Sequence, residues 1–206
     1  MKNYEIPLSP ENYYHIYNHA NGSDNLFLNS ENYRYFLQRY ATFINPIADT
    51  FAYCLMPNHI HFLIRIKAEP DLQKAYEYKK QSREKLLEED ISNYLSREFA
   101  SLFSSYSQAF NRQNGRKGSL FNPNFKRKLV ETDKYFTQLV YYIHANPVHH
   151  GFVKDLSAWN YSSYHAFLSR KQTNLQRDEV LNWFGNVDSF RTFHEGMPLT
   201  GKLDFD

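Results

Sequence analysis

Cys54 to Ile64 reads CLMPNHIHFLI. Two histidines stand two positions apart in an apolar run, directly behind a Pro57-Asn58 pair. Proline removes a backbone donor and restricts its own φ, so the pair marks a turn, and His59 to Lys67 follows as a strand. Side chains alternate along a strand with period two. Ile60, Phe62, Ile64 and Ile66 therefore form one apolar face fit for burial under helices, and His59, His61, Leu63 and Arg65 form the more polar one. Neutral imidazoles at i and i+2 can converge on a metal ion. The same spacing occurs on ordinary half-exposed strands, so the pair by itself leaves both readings open.

Ala52 to Met56 reads as the hairpin partner of that strand, and the aromatic run Tyr13 to Asn18 as an earlier strand ending in an Asn21-Gly22-Ser23-Asp24 turn. Ser30 and Glu31, followed by Tyr33, Phe36, Leu37 and Tyr40, predict a capped helix. Residues 71–111 predict helix in two pieces: a highly charged one (KKQSREKLLEED) with a solvated face, and one (YLSREFASLFSSYSQAF) whose rings recur at helical spacing and pack on the sheet. Phe125 to Val130 reads as another strand, and Asp133 as the cap of a helix ending before Asn146-Pro147. The order β-α-β-β-α-β-α predicts an α+β fold, a ferredoxin-like antiparallel sheet with helices packed against it.

A chain of 206 residues, 42% apolar and 22% charged, is long enough for a sizeable core. Seventeen Tyr and seventeen Phe can pack that core or stack on unpaired bases. The net charge of +2 names no partner, but no acidic residue lies between Glu98 and Glu131, a span holding Arg112, Arg116, Lys117, Lys126, Arg127 and Lys128. Such a block suits phosphates. It equally describes a solvated loop. Cys54 is the single cysteine, which excludes an internal disulfide and a Cys-rich zinc site. With no signal-like apolar start and no membrane-length run, a reducing cytoplasm is the expected compartment.

On the helix from Lys134, Phe136, Leu139, Val140 and Ile143 form the apolar stripe. A turn of about 100° per residue sets Tyr135, Gln138, Tyr142 and Asn146 on one flank and Tyr141 on the exposed side. The flank can face the sheet and bring Tyr142 and Asn146 to the histidines. His144, His149 and His150 read as a solvent-facing helix end, where cationic rings suit the dipole.

MPNHIHFLI resembles the His-hydrophobic-His (HUH) motif of single-tyrosine transposases. YYIHANPVHHGFV is similar to the nucleophile segment of the REP-associated tyrosine transposases in that superfamily, and YYHIYNHANGSDNLF and WNYSSYHAF fit its usual run. The resemblance implies a transposase domain over residues 1–168, with 70–95 as a helical insertion and 169–206 as a C-terminal extension. It implies Tyr142 as nucleophile and His59, His61 and Asn146 as ligands of a divalent ion, Mg²⁺ or Mn²⁺. Many such transposases have Gln where Asn146 stands.

The implied reaction is cleavage and rejoining of single-stranded, hairpin-associated DNA through a 5′-phosphotyrosine, by a monomer or homodimer. Given the resemblance, Arg65, Arg112, Arg116, Lys117, Lys126, Arg127 and Lys128 are the expected DNA contacts. The alternative is a domesticated or inactive relative that binds structured nucleic acid without cutting it.

Overall fold

The computed structural model describes residues 6–197. Four strands, β1 (Tyr13–His19), β2 (Ala48–Leu55), β3 (His59–Ile66) and β4 (Lys126–Val130), form an antiparallel sheet in the order β2-β3-β1-β4. This is the ferredoxin-like order, and α+β is the fold class. The hairpin turns at Pro57-Asn58 as expected, and β2 begins four residues before the predicted strand, with a register shift between Thr50 and Ala52.

Helices α1 (Ser30–Phe43), α2 (Glu69–Lys80) and α3 (Glu88–Gln113) belong to one side of the sheet. Asn29, not Ser30, caps α1, accepting from the amides of Glu31 and Asn32. Ile60, Phe62, Ile64 and Ile66 meet Phe36, Tyr40, Leu95, Phe99, Leu102 and Tyr106 here in a continuous buried cluster. Each fully buried aliphatic or Phe side chain contributes roughly 1.5–3 kcal/mol. The charged stretch 79–90 is not one continuous helix: its ends belong to α2 and α3 and its middle is irregular. Gln81, with φ +52°, ends α2 in the left-handed conformation, and residues 81–87 are non-helical before α3 begins. The stretch has no apolar stripe to hold a helix on the core, and Leu86 is its one buried residue before Glu88.

The other face carries α4 (Asp133–His149), α5 (Tyr164–Leu168), α6 (Arg177–Phe184) and α7 (Val187–Gly196). Thr132 rather than Asp133 caps α4. The helix also runs through Asn146-Pro147 instead of stopping before it, with Pro147 in its last turn. There the proline sacrifices only its own N–H, and the His150 amide still donates to the Asn146 carbonyl at 3.0 Å. Leu63 and the α4 stripe join Val180 and Phe190 in a second core. The face expected to be polar is therefore buried. Tyr141, expected to be exposed, is fully covered by α7: it packs on Phe193 and His194, and its hydroxyl donates to Met197 O at 3.3 Å.

His144 is likewise not at a solvent-facing end. It is buried in a chain with one consistent set of donors. His194 Nδ1 donates to Phe190 O (2.8 Å), so its Nε2 accepts from His144 Nδ1 (3.0 Å), and His144 Nε2 accepts from Ser163 Oγ (2.7 Å). Both rings are neutral, and burial lowers the His194 pKa to about 4. An unfolded histidine protonates near 6.5, so the unfolded chain binds the extra proton first as pH falls. Stability from His194 is complete above pH 6.5 and is lost between there and about pH 4, by about 3 kcal/mol. Urea midpoints at pH 7.5 and 4.5 should differ less in His194→Gln than in the wild type; an unchanged difference would place the proton uptake elsewhere. Among the described residues, no helix is long and apolar enough to cross a membrane.

Candidate active site

Strand β3 presents His59 and His61 to α4, and both are buried. Tyr142, 6% exposed, stands edge-on to His61 at 5.8 Å between ring centroids. Asn146 lies one helical turn further along α4, fully buried, beside His59. The four side chains predicted from sequence thus meet in one place. The i, i+4 spacing holds because the helix continues past Pro147.

Burial, reinforced by the neighbouring His19 and His150, lowers the His59 pKa to about 3. Burial likewise drives His61 well below its ordinary value, with His15 and His59 adding to the effect. Each ring is therefore a neutral imidazole, the form that binds metals. Asn146 favours the charged form of His59, yet neither its oxygen nor its nitrogen reaches hydrogen-bonding geometry with any protein group. His59 Nε2 is similarly buried and without a hydrogen bond. Buried polar atoms are almost always satisfied by protein, ordered water or a bound ion, so this convergence is a place where a ligand can sit. A divalent ion fits the donor set of imidazole nitrogens and an amide oxygen. Among the described residues no three His, Cys, Asp or Glu side chains form a metal-holding group, and the Asn146 amide is the further donor beside the two imidazoles.

Sequence reasoning missed the groups behind these. Asn58 Oδ1 accepts from His59 Nδ1 at 2.8 Å, which leaves the lone pair on Nε2. His15 is fully buried with its Nε2 at 2.9 Å from His61 Nδ1, and Tyr17 stacks on both rings. The signal was present: Tyr13, His15, Tyr17 and His19 alternate along β1 as the histidines do along β3. His19 stacks on His59 at 4.8 Å, and the exposed His150 packs its ring against His59 at 4.5 Å.

The basic residues divide. Lys126 and Lys128 lie on the histidine face of β4, opposite Tyr17 and His15, and both ammonium groups sit over the Tyr17 ring. Arg127 points to the other face, where it donates to Ser96 Oγ of α3 and lines a groove with Asn18 and Arg97. Arg112 lines a second groove on that side, and Lys117 is exposed in the loop after α3. Arg116 is committed to Asp24 and to the carbonyls of Gly118 and Ser119. Arg65 shares the histidine face but is also committed, pairing with Asp49 and Glu179 at 3.0 Å each and with Tyr13. A guanidinium already neutralised by two carboxylates is a fastening between β3 and α6 rather than a phosphate contact. The seven expected DNA contacts therefore do not form one surface.

No family model matches the chain. It is 32% identical over 119 residues to a Haemophilus influenzae protein named as a REP-associated tyrosine transposase, covering 57% of this chain and 59% of that one. It is 29% identical over 93 residues to the REP-associated tyrosine transposase of Escherichia coli, covering 45% and 52%. The chain thus spans little more than half the length of these curated relatives. The solved structure of a REP-associated tyrosine transposase bound to a REP hairpin superposes with a TM-score of 0.56 at 18% identity, covering 82% of this chain and 87% of the other, and shows the same fold.

Proposed function

We propose that this chain, which is related to the REP-associated tyrosine transposases, cuts and rejoins single-stranded DNA beside a hairpin, with Tyr142 as its nucleophile. One observation carries the reading: Tyr142 and Asn146 on α4 converge with the neutral His59 and His61 on β3 in a buried pocket, the amide beside His59 but without a well-formed hydrogen bond. His59, His61 and Asn146 would hold Mg²⁺ or Mn²⁺, which when bound supplies positive charge to a phosphodiester oxygen.

The chemistry of the chain's own residues follows. The Tyr142 hydroxyl gives its proton to solvent as its oxygen forms a bond to phosphorus and the bond to the 3′-oxygen breaks, and solvent supplies the proton taken up by the leaving oxygen. The leaving oxygen takes the electron pair and a proton and becomes a free 3′-OH, with the 5′-phosphate esterified to Tyr142. Attack by another 3′-OH reverses these steps, restoring the phenol and joining the strands. Because the ester preserves the phosphodiester energy, no external energy source is required. Asn58 holds His59 in the ligand tautomer, and Lys126 and Lys128 offer charge to the phosphates of the approaching strand.

The test is a labelled hairpin with single-stranded flanks, taken from repeats near the gene and incubated with protein and Mn²⁺. A covalent protein–DNA adduct that survives denaturation and disappears with EDTA is expected. Binding without an adduct under either metal would favour the nucleic-acid-binding alternative. Replacing Lys126 and Lys128 together by Ala should weaken binding evenly across sequences. It should also reduce the slope of log K against log salt by about 1–2, read by fluorescence anisotropy. An unchanged slope would take the strand off this face.

A further inference from the structure

His59 and His61 are held by different partners, and the difference has chemical consequences. Asn58 Oδ1 can only accept, so the proton of His59 is fixed on Nδ1. His61 Nδ1 instead meets another imidazole, His15 Nε2, at 2.9 Å. Either nitrogen could be the donor in such a pair. The two ring planes differ by only 19° and their centroids are 5.2 Å apart. At that separation, with nitrogens 2.9 Å apart, the rings meet edge to edge, with the lone pair of one along the N–H of the other. Tyr17 stacks on His15 at 4.7 Å and lies nearly parallel to His61, which keeps both rings in this plane.

If the proton between them sits on His15 Nε2, His61 carries its own proton on Nε2 and cannot ligate an ion there. If it sits on His61 Nδ1, the lone pair is on Nε2, the nitrogen that would ligate. Resting on the reading that His59 and His61 hold a divalent ion, we propose that His15 is a positioning residue. Its Nε2 accepts from His61 Nδ1 and keeps His61 in the ligand tautomer, as Asn58 does for His59. Partners of this kind set ligand tautomer and orientation, and their loss typically lowers metal affinity about 10–100-fold.

The test uses the full chain and Mn²⁺ alone, with free ion read by electron paramagnetic resonance. His15→Phe keeps a flat ring against Tyr17 but removes the acceptor, and should weaken Mn²⁺ binding about 10–100-fold. His15→Gln places an amide oxygen near the lost Nε2 and should restore affinity to within about threefold of wild type, which a purely space-filling role would not produce. Long-range ¹⁵N–¹H spectra of wild-type protein with Mg²⁺ provide a measure independent of any variant, and should show His61 protonated at Nδ1 only. Wild-type affinity in His15→Phe, or a proton on His61 Nε2, would overturn the proposal. His59→Ala separates the two readings. If that variant loses Mn²⁺ while His15→Phe keeps it, the role of His15 alone is wrong. If His59→Ala binds like wild type, the metal site itself is wrong and the proposal falls with it.

Discussion

Tyr142→Phe is expected to leave hairpin DNA uncut, with adduct formation reduced by roughly 10⁴-fold or more, while Tyr141→Phe and Tyr135→Phe should still form it. Phenylalanine preserves the ring that stands edge-on to His15 and His61 at 6.2 and 5.8 Å, so the fold is retained and only the hydroxyl is lost. Tyr141 lies at the next position in the chain, but its hydroxyl bonds to Met197 O under α7. Tyr135 is two turns back on the Tyr142 flank, where burial beside Tyr17 pushes its pKa up to about 12 and keeps the phenol protonated. Denaturing gels of labelled DNA with each variant decide the matter. An adduct that persists in Tyr142→Phe and vanishes in Tyr141→Phe would move the chemistry to the far side of α4.

Asn146→Leu is expected to make the metal-free protein more stable and the enzyme inactive. Both polar atoms of Asn146 are buried without a hydrogen bond, a condition that costs about 1–3 kcal/mol for such a group. Leucine has similar bulk and no polar atom, so the urea midpoint without metal should rise by the equivalent of about 1–2 kcal/mol. In wild-type protein a saturating ion stabilises the fold by mass action, about 2.7 kcal/mol at one hundred times Kd. Asn146→Leu should lose most of that gain, and the covalent adduct with it. A variant destabilised by a similar amount, with the metal response intact, would make the amide a structural group and remove it from the ligand set.

Much of the fold was legible because both repeating patterns were strong. The period of two through Ile60, Phe62, Ile64 and Ile66 assigned β3 and its core face, and the period near 3.6 through Phe136, Leu139, Val140 and Ile143 oriented α4. Local signals were weaker guides to ends. Thr132 and Asn29 displaced the expected caps because any small polar side chain that reaches the first free amides can serve. Asn146-Pro147 did not stop α4 because near a helix end a proline forfeits little.

The candidate site was half legible. Its histidine pair, tyrosine and amide are readable as spacings, but their common burial is not. Periodicity shows which side chains share a face and says nothing about what covers that face. Tyr141 and His144 were assigned to solvent on that basis, and α7 covers both. Charge was the least legible property. Lys126, Arg127 and Lys128 are consecutive in the chain and fall on opposite sides of a strand. Arg65 and Arg116 are cationic in sequence, and carboxylates at Asp49, Glu179 and Asp24 neutralise them in space.

By itself the sequence determined the strand and helix faces and the residue types able to ligate, attack and bind phosphate, since these depend on local geometry and side-chain chemistry. Only the tertiary structure decided which of them meet. Burial, ring tautomer and ion pairing are set by neighbours far away in the chain. His15 on β1 beside His61, Glu179 on α6 beside Arg65, and α7 over Tyr141 come together through packing that no local spacing encodes.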